Sequence, residues 1–131
     1  MGLDLTLMPL SNARDLQGFS IARATLDFVR DNRIFGQIAT STREAIEEAR
    51  TDGFDVVVQP KIVPRTFKIQ VYIGDTVRTT RKSGLDGEMV YATAGELRKI
   101  KLPEGTSHFN KAAMSYVRAL QKDIPVIIYW R

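Results

Sequence analysis

"PVIIYW", Pro125–Trp130, presents apolar residues on both faces of an extended chain. A strand with one wet side alternates apolar and polar residues, whereas one covered on both sides reads as a continuous apolar run. This stretch is therefore expected inside a sheet, not at its edge. "LDLTL", Leu3–Leu7, is the other short strand rich in leucine, with Leu3, Leu5 and Leu7 alternating with Asp4 and Thr6. The two are expected to pair near the sheet centre and so tie down both ends of the chain. In such a place Asp4 needs a partner, an arginine or backbone donors.

Period-two alternation marks further strands. "TFKIQVYI", Thr66–Ile73, puts Phe67, Ile69, Val71 and Ile73 on one face and Lys68, Gln70 and Tyr72 on the other. That is a strand covered on one side only, usual in antiparallel sheets. "SIARATLDF", Ser20–Phe28, alternates too, although Ile21, Thr25 and Phe28 also stand at helical spacing; β-branched and aromatic residues among small ones favour the strand. "DVVVQP", Asp55–Pro60, reads as a short strand stopped by Pro60, and Pro64 keeps the adjoining stretch irregular. Asp86-Gly87 can form a tight turn into a last short strand, "EMVY".

Helices are marked by caps. A short one over "NRIFGQI" would bury Ile34, Phe35 and Ile38. Ser41 with Glu44 forms a capping box for a second, closed by Gly53, with a thin stripe of Ala45, Ile46 and Ala49. Thr93 with Glu96 forms another, opening a helix that runs to about Ile100. Ser107 caps the longest, whose apolar stripe is expected at Phe109, Ala113, Tyr116, Val117 and Leu120. The sum is an α+β fold in one domain, residues 1–131. A single mixed, mainly antiparallel sheet of about five to six strands carries helices on one face, with the N- and C-terminal strands central.

A domain of 131 residues buries roughly two-thirds of the surface of its unfolded chain and folds without staples. Cysteine is absent, which removes disulfides and thiolate metal sites and fits a reducing compartment. "MGLDLTLMPL" lacks a basic start and is interrupted by an aspartate, so it does not read as an export signal. No run approaches the roughly 18 apolar residues of a membrane span. Residues 1–60 hold 6 Lys/Arg against 9 Asp/Glu, net −3, and residues 61–131 hold 13 against 6, net +7. Such asymmetry can make a basic face that attracts phosphate or an acidic protein.

Reactive groups are sparse. The one histidine, His108, falls in the first turn of a helix with no acid or nucleophile at a recognisable spacing. A zinc site would have to rely on carboxylates, which is uncommon. Glu44, Glu47 and Glu48 are spaced as a solvated flank, not as an acid–base pair. No phosphate-binding or nucleophile-elbow motif is present. No catalytic residue, cofactor or metal is therefore assigned, and the chain reads as a non-enzymatic binding protein.

The contact surface that the letters favour is "TVRTTRKSGLDG", Thr76–Gly87, taken as a cationic connection after the best strand. Arg78, Arg81 and Lys82 stand there beside hydroxyls and a glycine, groups that grip phosphate oxygens. With Lys68 and Tyr72 on the adjoining strand they form a candidate set for a protein partner or for nucleic acid. A basic sheet face with an aromatic can stack bases and follow a backbone. Three phosphate contacts would lose about 40-fold in affinity between 50 and 200 mM salt, a weak grip.

"MGLDLTLMPL", "YATAGELRKI" and "NKAAMSYVRALQKDIPVIIYWR" resemble a group of small proteins encoded by phages and prophages. The likeness takes in both ends and about half of the chain, and its motifs are structural: an opening strand, a capped helix, and a helix leading into a Tyr-Trp strand. The resemblance implies a phage accessory protein acting in the bacterial host cytoplasm on a host protein, inhibition of a host defence system being one form of this. The alternative is a nucleic-acid-binding accessory protein. "TVRTTRKSG" lies outside the matching stretches.

Overall fold

A computed structural model describes residues 4–11, 16, 18–39, 55–64, 66–73, 76–80 and 89–130. The last strand, β8 (Pro125–Trp130), lies in the middle of a five-stranded antiparallel sheet, between β1 (Leu5–Pro9) and β7 (Val90–Thr93). β3 (Leu26–Asp27) borders β1, and β4 (Lys61–Ile62) borders β7, giving the order β3-β1-β8-β7-β4. The two ends of the chain thus meet at the sheet centre, with Leu5 opposite Trp130 and Leu7 opposite Ile128. The prolines sit where a missing N–H costs least: Pro9 ends β1 and Pro125 begins β8.

Alternation along β8 explains why both its faces are apolar. Val126, Ile128 and Trp130 pack with Leu5 and Leu7 against the helices, whereas Ile127 joins Met8 and Met89 in a second core on the other side. A second sheet roofs that other side. It is three-stranded, in the order β2 (Phe19–Ile21), β5 (Lys68–Ile73), β6 (Thr76–Thr80), with β2 parallel and β6 antiparallel to β5. Phe67 and Ile69 bring its apolar side down onto Met8 and Ile127. The molecule is therefore layered as helices, five strands, three strands.

The five-stranded, mainly antiparallel sheet with both terminal strands near its centre is the expected α+β fold, and the three-stranded sheet is an addition to it. The hinge is Ser20–Phe28, which is extended, not helical, but serves both sheets. Its first part is β2; the chain then bridges Ala22 to Leu10, and its last part is β3 on the edge of the larger sheet. At the joint the Ala22 N–H donates to the Gln70 carbonyl at 2.9 Å and the Arg23 N–H to the Pro9 carbonyl at 2.8 Å, one bond to each sheet. Strands that switch sheets in this way turn the corners of packed sheets. Asp55–Pro60 forms no strand. Val58 makes only one bridge, to Ile38, and the two-residue ladder comes later, at Lys61–Ile62 between Pro60 and Pro64. The helix expected from Ser41 to Gly53 and the turn at Asp86-Gly87 lie outside the described residues.

Among the described residues, three helices build the other layer. α1 (Asn32–Phe35) is capped by Asp31, whose carboxylate accepts from the Arg33 N–H at 3.0 Å, and it buries Ile34 and Phe35. α2 (Ala94–Leu97) opens on the Thr93–Glu96 capping box. α3 (His108–Ala119) is capped by the Ser107 hydroxyl, which accepts from the Phe109 N–H at 3.2 Å. Its buried side is Asn110, Ala113, Met114 and Val117: Ala113 and Val117 of the expected stripe face inward, whereas Phe109 and Tyr116 are exposed.

Candidate functional site

The expected contact set is spread over β5, β6 and residues outside the described ones. Lys68 is exposed on β5. Thr76–Thr80 is a strand instead of a loop, as its β-branched Thr76, Val77, Thr79 and Thr80 favour. In the ladder Arg78 stands opposite Val71 and Val77 opposite Tyr72, so Arg78 is one position out of step with the alternate series Lys68, Gln70, Tyr72. Arg81 and Lys82 lie outside the described residues.

Polar groups converge instead beside α1. An open cleft of about 510 Å³ is lined by Arg30, Asp31, Asn32, Arg33, Gly105, Ser107 and Asn110. Its charges are turned on each other. Arg33 forks onto Asp31 at 2.9–3.0 Å and donates to the Glu104 carbonyl at 3.0 Å. Arg30 donates to Asp4 at 3.0 Å, which supplies the partner that Asp4 needs, although the pair is half exposed. The Arg33 hydrogen bond holds the Asp31 carboxyl below the usual carboxylate range, against the opposing effect of burial. Asn110 forms the floor: its side-chain N–H donates to the Val29 carbonyl and its oxygen accepts from the Val29 N–H, each at 2.8 Å. These bonds tie α3 to the segment leading into α1. The cleft is a braced joint.

The same bracing leaves the outer side of α3 to solvent. Asn110 points inward, and with a rotation of 100° per residue this fixes Ala113, Met114 and Val117 inward as well. Phe109 is then 70% exposed and Tyr116 40% exposed. With exposed Ala112 and Ala119 they form a stripe at 109, 112, 116 and 119, alternately three and four residues apart. His108 is the first residue of the helix, and its ring lies edge-on to Phe109 with centroids 6.3 Å apart.

Cations border the stripe. Lys111, Arg118 and Lys122 are exposed, and the nearest acids in the sequence, Glu104 and Asp123, are exposed on either side of the Ser107–Lys122 stretch. Arg98, Lys99 and Lys101 are exposed on the segment after α2, which α3 holds close. The Arg118 guanidinium donates to the Ile100 carbonyl at 3.0 Å, Arg98 donates to the Leu120 carbonyl, and the Gly95 N–H donates to the Lys122 carbonyl at 2.9 Å. Glu96, the acid among them, is engaged in its capping box.

Sequence reasoning misses this surface by making Phe109 and Tyr116 core. The available signal is Met114, which with the already expected Ala113 and Val117 closes an apolar side around Asn110 without the two rings. Among the described residues no cluster of His, Asp and Glu stands ready to hold a metal. No helix among them is long and apolar enough to cross a membrane. No protein-family model matches the chain, and no curated protein or solved structure matches it.

Proposed function

We propose that this chain is a non-enzymatic binding protein that engages another protein through the outer face of α3. The observation that carries the reading is the solvent exposure of Phe109 and Tyr116 on one helical stripe. An aromatic ring left in water forgoes most of the stabilisation its burial would bring, and Tyr and Trp anchors dominate protein interfaces when a partner covers them. On the alanine side of the stripe lies a basic flank, which speeds and orients encounter with an acidic surface. The resemblance to phage-encoded proteins supplies the setting: a host protein in the bacterial cytoplasm, whose inhibition or redirection would be the outcome.

Nuclease-treated bacterial lysate passed over the immobilised protein tests the reading. A discrete protein should be retained by the wild-type chain and lost from the Phe109→Ser/Tyr116→Ser variant, with both proteins melting alike. Retention that disappears with nuclease would point to nucleic acid, and equal retention by the double variant would remove α3 from the interface.

A further inference from the structure

We infer that the occupant of the α3 face is an amphipathic helix of the partner, with a narrow apolar seam and an Asp/Glu-rich edge. This rests on the protein-binding reading above and specifies its ligand.

The positions 109, 112, 116 and 119 alternate three and four apart, so that 109 and 116, and 112 and 119, each stand one heptad apart, the repeat at which one helix keeps its seam against another. The series alternates large and small, Phe-Ala-Tyr-Ala. Two rings act as knobs, and the alanines leave room for the side chains of an opposing helix and for close approach of its axis. α3 has 12 residues, about 18 Å of helix, enough for a contact of three turns.

Charge decides between occupants. Lys111, Arg118 and Lys122 lie along the stripe or just past its end, and Arg98, Lys99 and Lys101 extend the same sign beyond it. A second copy of this chain would bring an equally cationic helix against them. An acidic edge is attracted. Nucleic acid fits less well, because a helix that reads a groove carries cations and amides on its crest. Here the crest is aromatic and alanine, and the cations stand to the side.

Titration with three designed helical peptides, read by fluorescence anisotropy, tests the inference. One has a leucine seam with glutamate flanks, one the same seam with lysine flanks, and one glutamate flanks with a serine seam. The first should bind, and the other two should bind at least about tenfold more weakly, a factor that corresponds to one lost favourable contact. Phe109→Ser or Tyr116→Ser should each weaken the first peptide by about thirtyfold, the size expected of an interface anchor. Lys111→Glu/Lys122→Glu should weaken it too, and raising the salt should shrink the difference between glutamate and lysine flanks.

Indifference to the three peptides, or failure to bind any of them, would overturn the inference. So would sedimentation of the chain as a dimer abolished by Phe109→Ser, or displacement of the peptide by single-stranded DNA at equal concentration. If the peptides fail while the Phe109→Ser/Tyr116→Ser variant still loses its cellular partner, the helical ligand is refuted and the protein-binding reading stands.

Discussion

Asn110 and Gln37 each bring both ends of an amide to one backbone residue, and Gln37 donates also to the Arg33 carbonyl at 3.0 Å. Asn110 clasps the N–H and C=O of Val29 at 2.8 Å. Gln37 does the same for Lys101, donating to its carbonyl at 2.7 Å and accepting from its N–H at 2.8 Å. Both side chains are fully or almost fully buried. Each stands in for the missing neighbour of a ladder, since the backbone groups it satisfies belong to irregular segments. Asn110→Leu keeps the branching at Cγ and strands both groups of Val29. Each stranded group costs about 1–3 kcal/mol, and the low end applies because the Val29 side chain lies near water. A loss of about 2–3 kcal/mol is expected, read as a lower urea midpoint with unchanged m.

At Asp31 the effect is of charge. Its carboxyl is held below the ordinary range by Arg33, so the folded state binds fewer protons than the unfolded one as pH falls. The stabilisation is complete above the unfolded carboxyl pKa of about 3.9 and disappears as pH drops through the lower folded value. Asn caps helices about as well as Asp, so Asp31→Asn should remove the charge contribution and keep the cap. Its thermal midpoint should fall less steeply with acid than that of the wild type. Parallel slopes from pH 5 to 2 would refute the linkage.

Among the elements, α3 shows best what a single sequence conceals. It bears two apolar series side by side, and periodicity alone cannot say which one faces the core. Aromatic size draws Phe109 and Tyr116 into the expected stripe; the structure keeps Ala113 and Val117 inward but takes Met114 in place of the rings, the rotation at which Asn110 reaches Val29. The choice rests on a contact 81 positions distant along the chain, beyond the reach of any local pattern. Stability separates the series by experiment. Met114→Ala should cost about 2–5 kcal/mol, whereas Phe109→Ser should change stability by no more than about 0.5 kcal/mol. A reversed ranking would mean that the helix is rotated. β6 is hidden for another reason: arginines and threonines suggest a solvated connection, and a pairing with β5 gives the same letters a ladder. Capping, by contrast, is local chemistry, and the Thr93–Glu96 box and the Ser107 cap are legible as they stand.

For the whole molecule, the unbroken apolar run of β8 and the alternation of β1 are enough to place both termini at the sheet centre. What those letters do not carry is the division into two sheets, which depends on Ala22 being shared between Leu10 and Gln70. Deleting residues 128–131 would strip β8 of Ile128 and Trp130 and leave half of β1 unpaired. That chain should show no cooperative melt; a transition like that of the full chain would contradict the central placement. The candidate surface is less legible than the fold, since exposure is a property of the assembled molecule. Composition alone singles out Lys68, Tyr72, Arg78, Arg81 and Lys82. The aromatic stripe with its cationic border emerges only once α2 and α3 are packed together.

Whether the outer face of α3 meets a protein is the question on which the binding role depends. A photo-crosslinking residue placed at Tyr116, with Lys68 as the comparison site, asks this directly in bacterial cells. A discrete protein adduct is expected from position 116, absent from position 68 and abolished by Phe109→Ser. Adducts from position 68 alone, or none from 116 in any host tried, would contradict the role assigned to α3.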